Sequence, residues 1–346
     1  MSDEIQVIEK PEASSPAVPV DPIAKAMKPI VDQNVQGPPA AKKLMSPATK
    51  EKAKRRWIFA SNKINTNKKA RSDEPENADN IPEATYGLYS LTQLDDPEND
   101  DKGTWMTLKW NAGMMPKNTE QPDAPPRVLP DVIVRMLSSN NLPVEVLQGF
   151  NNTGNVRIWP SEECLAWIIA TGYGDRFKGK KVLELGCGMT ALASICASYF
   201  AESVVASDGS EIAVANAAKC IARNNRQNVT TVCHKWGEAV AIKDLYAFDY
   251  IIAGDCLFEQ ENIEAFVKTV EQYLASNGNA FIVSPERGGS LLKFIEKVKD
   301  LKLIVEKRDL CPVVAERLAK LKTDKGEAFD ATLDLKVVVI RRPTAP

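Results

Sequence analysis

The stretch from Val182 to Ala193, VLELGCGMTALA, constrains this chain more than any other. An apolar run with the look of a strand passes through Gly186 and Gly188 into residues that favour a helix. The glycines let the backbone turn tightly and approach a ligand, and the helix that follows offers unpaired amides at its N-terminus. A turn of this kind belongs in an open sheet with parallel strands, where ligands gather at the carboxyl ends.

The surrounding pattern supplies such a sheet. Beyond about residue 155, β-branched runs alternate with helical windows, the signature of an α/β domain with helices on both faces. Strands are expected at Lys181–Leu185, Ser203–Ser207, Thr230–Lys235, Asp249–Gly254, Ala280–Ser284, Lys302–Lys307 and Leu335–Arg341. Helices are expected at Ser161–Thr171, Thr190–Phe200, Glu211–Asn225, Asn262–Ser276, Gly289–Asp300 and Val313–Leu321. The short connections suit right-handed crossovers, and the last strand can enter antiparallel beside its predecessor.

The N-terminal part is different. Residues 1–49 are rich in Pro, Ala, Lys and Ser without periodicity, which is the composition of a disordered tail. Lys50–Arg71 holds nine Lys/Arg against one acid, and Ser72–Asp101 holds ten Asp/Glu and no base. Short strands are expected at Trp57–Phe59, Tyr86–Tyr89 and Thr104–Trp110, a turn at Pro122, Pro125 and Pro126, and a short helix at Val144–Phe150. The chain thus divides into a tail (1–49), a small β-containing extension (50–155) and the main domain (156–346).

Composition excludes several functions. The net charge of −2 gives no global field for nucleic acid or a membrane surface, and no apolar run reaches the length of a bilayer span. The seven cysteines show no CxxC spacing and His234 is the only histidine, so neither a Cys/His zinc site nor a Ser-His-Asp triad is expected. Reduced thiols suit the cytoplasm or nucleus, and the acidic N-terminus is not that of a signal peptide.

Around the glycine turn, two cofactors compete. Gly186, Gly188 and Ala191 satisfy a relaxed dinucleotide pattern, with Asp208 placed for a ribose, as in a nicotinamide-dependent oxidoreductase. Glu184, two positions before the first glycine, decides between them: a carboxylate crowds a pyrophosphate but suits the ammonium and sulfonium of S-adenosylmethionine. Asp208, in VVASDGSE, is fit to accept from both ribose hydroxyls or to cap the next helix. Trp236 is placed either to cover an adenine or to fill the core. Asp255 and Phe258, in GDCLF after the fourth core strand, sit where a methionyl ammonium or an incoming amine would, or in an ordinary loop. Trp159 and Pro160 open a helix whose first-turn acids, Glu162 and Glu163, ordinarily serve the helix dipole.

Five strings carry a resemblance: GFNNTGNVRIWPSEE (Gly149–Glu163), ELGCGMT (Glu184–Thr190), DGSE (Asp208–Glu211), GDCLF (Gly254–Phe258) and SPERGGSLLKF (Ser284–Phe294). Through them residues 50–346 resemble the calmodulin-lysine N-methyltransferases, a family in the lysine-directed branch of seven-strand methyltransferases. The resemblance implies a Rossmann-like methyltransferase sheet and S-adenosylmethionine as cofactor, with Trp159, Glu184, Gly186, Asp208, Trp236 and Gly254 lining its site beside Gly188 of the turn. It places Asp255 and Phe258 at the reacting amine and calmodulin as the protein substrate, with trimethyl-lysine as product. Related enzymes often carry a tyrosine after that acid, and Phe258 has no hydroxyl to donate. The competing readings are a related methyltransferase with another protein substrate and a non-catalytic calmodulin-binding scaffold.

Overall fold

The apolar runs of the second half are buried on both sides, which only a parallel sheet covered by helices provides. In a computed structural model, which describes residues 84–111, 113, 130–138, 154, 155, 157–238, 242, 245–326, 329 and 333–343, they form one seven-stranded sheet. Its strands are β4 (Lys181–Leu185), β5 (Ser203–Asp208), β6 (Val229–Cys233), β7 (Phe248–Gly254), β8 (Leu274–Pro285), β9 (Ile304–Arg308) and β10 (Leu335–Arg341). They lie in the order β6-β5-β4-β7-β8-β10-β9. The first five are parallel, and β10 runs antiparallel between β8 and β9, pairing Leu335 with Pro285 and Val337 with Arg308. From β4 the chain winds outward through β5 and β6, then returns to build β7 and β8 on the other side. The carboxyl ends of β4 and β7 therefore flank the point where strand order reverses, the place where open α/β sheets bind ligands.

Six helices cover the sheet: α1 (Pro160–Thr171), α2 (Leu192–Ser198), α3 (Glu211–Arg223), α4 (Ile263–Tyr273), α5 (Ser290–Asp300) and α6 (Pro312–Lys325). Helices α1, α2, α3 and α6 share one buried cluster, and α4 and α5 share another. Strand β4 feeds both: Val182 packs into the first cluster, Leu183 and Leu185 into the second. That two-residue alternation puts Glu184 on the side of α1 and α2.

A second sheet joins β1 (Tyr89–Gln93), β2 (Gly103–Trp110) and β3 (Val132–Leu137), all antiparallel. Strand β3 docks on α3. The Ile133 amide donates to Asn224 Oδ1 at 2.9 Å and Asn224 Nδ2 donates back to the Ile133 carbonyl at 2.6 Å. Asn216 Nδ2 bridges the carbonyls of Arg135 and Met189, each at 2.8 Å.

The structure departs from the sequence reading at several points. Strand β3 was not expected, although its VIV run is β-branched. Tyr86–Leu88 is bent rather than extended, because Gly87 takes a φ of +66° and the flanking amides turn to the carboxylate of Glu163. Helix α4 stops at Tyr273 rather than Ser276, since Leu274 adopts extended backbone and starts β8. The tail, the basic block with Trp57–Phe59, the proline turn and the Val144–Phe150 helix lie outside the described residues.

Glu163 fastens the two sheets together. It is 1% exposed and accepts from the amides of Thr85 (2.7 Å), Tyr86 (3.0 Å) and Leu88 (3.1 Å). Burial pushes its carboxyl up to about 7 against the pull of those amides. Arg317 of α6 donates to the Tyr86 carbonyl at 2.9 Å on the same bend, and the Tyr86 hydroxyl donates to the Leu333 carbonyl. A buried donor left without its acceptor costs about 1–3 kcal/mol. Glu163→Ala is expected to lower the free energy of urea unfolding by about 3 kcal/mol, whereas a loss below about 0.5 kcal/mol would show that these hydrogen bonds do not hold the extension in place.

Candidate functional site

The turn after β4 closes over a sulfur. Gly186 has a φ of +75°, and a Cβ there would lie 2.7 Å from Cys256 Sγ and 3.5 Å from the Trp236 ring. The Cys256 thiol in turn donates to the Leu185 carbonyl at 3.2 Å, so the ends of β4 and β7 touch directly. The amides of Gly186 and Cys187 donate to the Ser207 carbonyl at 2.8 and 2.9 Å, which fixes the turn against β5. Trp236, half-buried, meets Phe266 at a ring-centroid distance of 4.7 Å and leans over Gly186 from the far side.

Asp208, at the end of β5, is 7% exposed. Its Oδ2 accepts from the Gly188 amide and its Oδ1 from the Ser210 amide, both at 2.9 Å. Burial raises its carboxyl to about 6, with the amides of Ser210, Gly188 and Gly209 opposing. The cap of α3 is Ser210, whose Oγ accepts from the Ala213 amide at 3.3 Å. Asp208 is therefore not the cap. It is oriented by the turn, and each oxygen keeps lone pairs for a ligand hydroxyl. Gly154 and Asn155 cross this corner: the Met189 amide donates to the Gly154 carbonyl at 3.1 Å, and Asn155 exchanges hydrogen bonds with Ser210 Oγ.

Glu184 is directed downward. Fully buried, its Oε2 accepts from the Ser194 amide at 2.9 Å and from the Ser194 hydroxyl, at the start of α2. Glu162 reaches the same helix start from α1, its Oε1 accepting from the Ala193 amide at 2.8 Å. Glu162 Oε2 and Glu184 Oε1 are buried without a hydrogen-bond partner. Burial, first of all, raises both. The sequence reading gave Glu162 to the helix dipole. The structure turns it to the same helix start as Glu184 and sets it against Gly254, where a Cβ would lie 2.9 Å from its Oε2.

Trp159 precedes α1 with the Arg157 guanidinium 4.2 Å from its ring centre. Phe258 is half-buried in the loop after β7. Asp255 is 6% exposed with a φ of +59° and pairs with Arg287, Nη1 to Oδ1 at 2.8 Å and Nη2 to Oδ2 at 3.2 Å. Arg287 was not among the expected site residues, and its only signal was its place in SPERGGSLLKF. His234 is buried against Tyr273 rather than placed as a base, and among the described residues no cluster of His, Cys, Asp and Glu is fit for a metal. No described helix is long and apolar enough to cross a membrane. The glycine turn, the oriented Asp208 and the leaning Trp236 together fit S-adenosylmethionine.

The raised carboxyls of Glu162 and Glu184 have a measurable consequence. A carboxyl whose folded pKa is raised contributes stability that is full below its unfolded value, near 4.5, and is lost as pH climbs through the folded one. Glu162→Gln replaces the titrating carboxyl by a neutral amide. In thermal unfolding between pH 5 and 9, its melting temperature relative to the parent is expected to rise with pH, and parallel curves would contradict a raised carboxyl at Glu162.

Comparison with known proteins agrees with this geometry. Residues 138–301 match a family described as lysine methyltransferase. A calmodulin-lysine N-methyltransferase of Arabidopsis thaliana is 33% identical over 171 residues, 47% of this chain and 56% of that protein. A protein-lysine N-methyltransferase of Chaetomium thermophilum is 30% identical over 132 residues, covering 35% and 39%. A ribosomal protein L11 methyltransferase of Phocaeicola vulgatus is 40% identical over 91 residues, covering 26% and 31%. The chain thus spans about a third to just over half the length of these relatives. Its central part, from the entry to α1 through α5, is similar to lysine methyltransferases.

Proposed function

We propose that this chain is a protein-lysine N-methyltransferase that uses S-adenosylmethionine and acts on calmodulin. The observation that carries the reading is the Gly186–Gly188 turn at the sheet's switch point, with Asp208 held to it by the Gly188 amide. The match of residues 138–301 to lysine methyltransferases supports the reaction, and the likeness to the Arabidopsis protein supports the substrate.

When bound, S-adenosylmethionine supplies an electrophilic methyl on a sulfonium. Asp208 would accept from its ribose hydroxyls, the glycines would let it approach the turn, and Trp236 would cover it. The acceptor lysine must arrive as the neutral amine, although its ordinary pKa is near 10.4. Transfer would form the nitrogen–carbon bond as the carbon–sulfur bond breaks, leaving its electron pair on sulfur. A free histidine is not required, because water carries off the amine proton. Asp255 orients the amine, and Phe258 offers an aromatic wall compatible with a growing methylammonium. Positioning of this kind contributes up to about 7–11 kcal/mol.

Mass spectrometry of calmodulin incubated with the protein and S-adenosylmethionine is expected to show methyl additions on one lysine. Methylation of another protein in a lysate, with calmodulin untouched, would redirect the substrate assignment, and no methylated protein at all would overturn the activity. Asp208→Ala is expected to weaken S-adenosylmethionine binding by about tenfold to a hundredfold in calorimetry, as loss of a charged hydrogen-bond acceptor should. Unchanged affinity would remove Asp208 from the site.

A further inference from the structure

Asp255 and Arg287 form a pair that the reaction as described does not yet explain. A lone carboxylate beside the acceptor would work against transfer: an opposite charge within about 4–6 Å favours the charged form of a titrating group by about 1–3 pKa units, and a lysine so held stays an ammonium. In this protein the carboxylate is not alone. The Asp255 amide donates to the Val283 carbonyl at 2.9 Å, which locks the residue in its left-handed conformation and aims the side chain across to the loop after β8. There the guanidinium meets both oxygens.

That loop is itself tied down. The Ser290 amide donates to the Arg287 carbonyl at 2.8 Å as α5 begins. Gln260 Nε2 donates to the Gly288 carbonyl and Lys293 Nζ to the Gln260 carbonyl, both at 2.7 Å. The loops after β7 and β8 thus make one platform at the mouth of the sheet, one residue from the Gly254 and Cys256 contacts with α1 and the cofactor turn. Oδ1 of Asp255, 2.8 Å from Nη1, is buried and receives no aligned hydrogen bond. Burial raises the Asp255 carboxyl, and the charges that oppose it are Arg287 and, from before α1, Arg157.

We propose that Arg287 is a positioning residue for the acceptor: its guanidinium cancels the charge of Asp255, so that the carboxylate orients the incoming lysine amine without holding it as an ammonium. Arginine suits the task because it stays charged at any working pH and presents a planar fork to both oxygens. The inference rests on the methyltransferase reading above, and it also assigns a specific electrical property to the acceptor pocket.

The test is the pH dependence of kcat/KM for methylation of calmodulin. Arg287→Gln is expected to move the alkaline rise of the profile upward by about one unit, with about a tenfold loss near pH 7.5 that recovers at higher pH. Arg287→Lys, which keeps the charge, should retain the parental profile. Asp255→Asn combined with Arg287→Gln should return the rise to its parental pH, whatever the rate. Binding of S-adenosylmethionine, measured by calorimetry, should be unchanged in Arg287→Gln, which also reports on its folding. An equal loss at every pH, or a double variant that stays shifted, would show a merely structural ion pair and overturn the inference while the reaction stands. A parent that methylates no protein lysine would overturn both.

Discussion

The first turn of α1 is where the molecule is held together. Two adjacent acids, Glu162 and Glu163, are buried there, and they point to different elements. Glu163 gathers the amides of Thr85, Tyr86 and Leu88 from the N-terminal extension. Glu162 takes the amide of Ala193 at the start of α2, the helix start that Glu184 also caps, beneath the glycine turn. Burying a carboxyl is costly unless donors replace the lost water, and here backbone amides do so from two directions. The same turn lies against Gly254, so the extension, the glycine turn and the loop after β7 are all set by one stretch of helix.

The pleat of β4 explains where the acid of the glycine motif points. Val182 and Glu184 face α1 and α2, whereas Leu183 and Leu185 face α4 and α5. Glu184 therefore caps the start of α2, and the carboxylate held by the Gly188 amide is Asp208, one strand away. Asp255, just after β7, is instead paired with the Arg287 guanidinium.

Much of the fold was legible in the sequence because its signals are local. The runs at β4, β5, β7 and β10 are apolar on both faces, and the glycine turn can sit only at a strand's carboxyl end. Asp208 could be read as ribose acceptor or cap, and only the hydroxyl of Ser210, found on the Ala213 amide, settles the cap. Glu162 and Glu163 were not legible. Their partners lie across long loops, the amides of residues 85–88 and Ala193, and first-turn acids are usually exposed. The pairing of Arg287 with Asp255 was missed for the same reason, since a salt bridge to a residue 32 positions away leaves no periodic trace. Strand β3 is a gap of another kind: VIVRML is too short for its period to separate strand from helix, and α3 supplies the partner.

If the first turn of α1 couples the extension to the cofactor turn, a ligand at one must be felt at the other. Hydrogen-exchange mass spectrometry with and without S-adenosylmethionine tests this directly. The account predicts slower exchange in peptides spanning Thr85–Leu88 as well as in those spanning Gly186–Ser194, because opening the extension would release the helix that the ligand requires. Protection confined to the Gly186–Ser194 peptides, with Thr85–Leu88 exchanging as before, would contradict it.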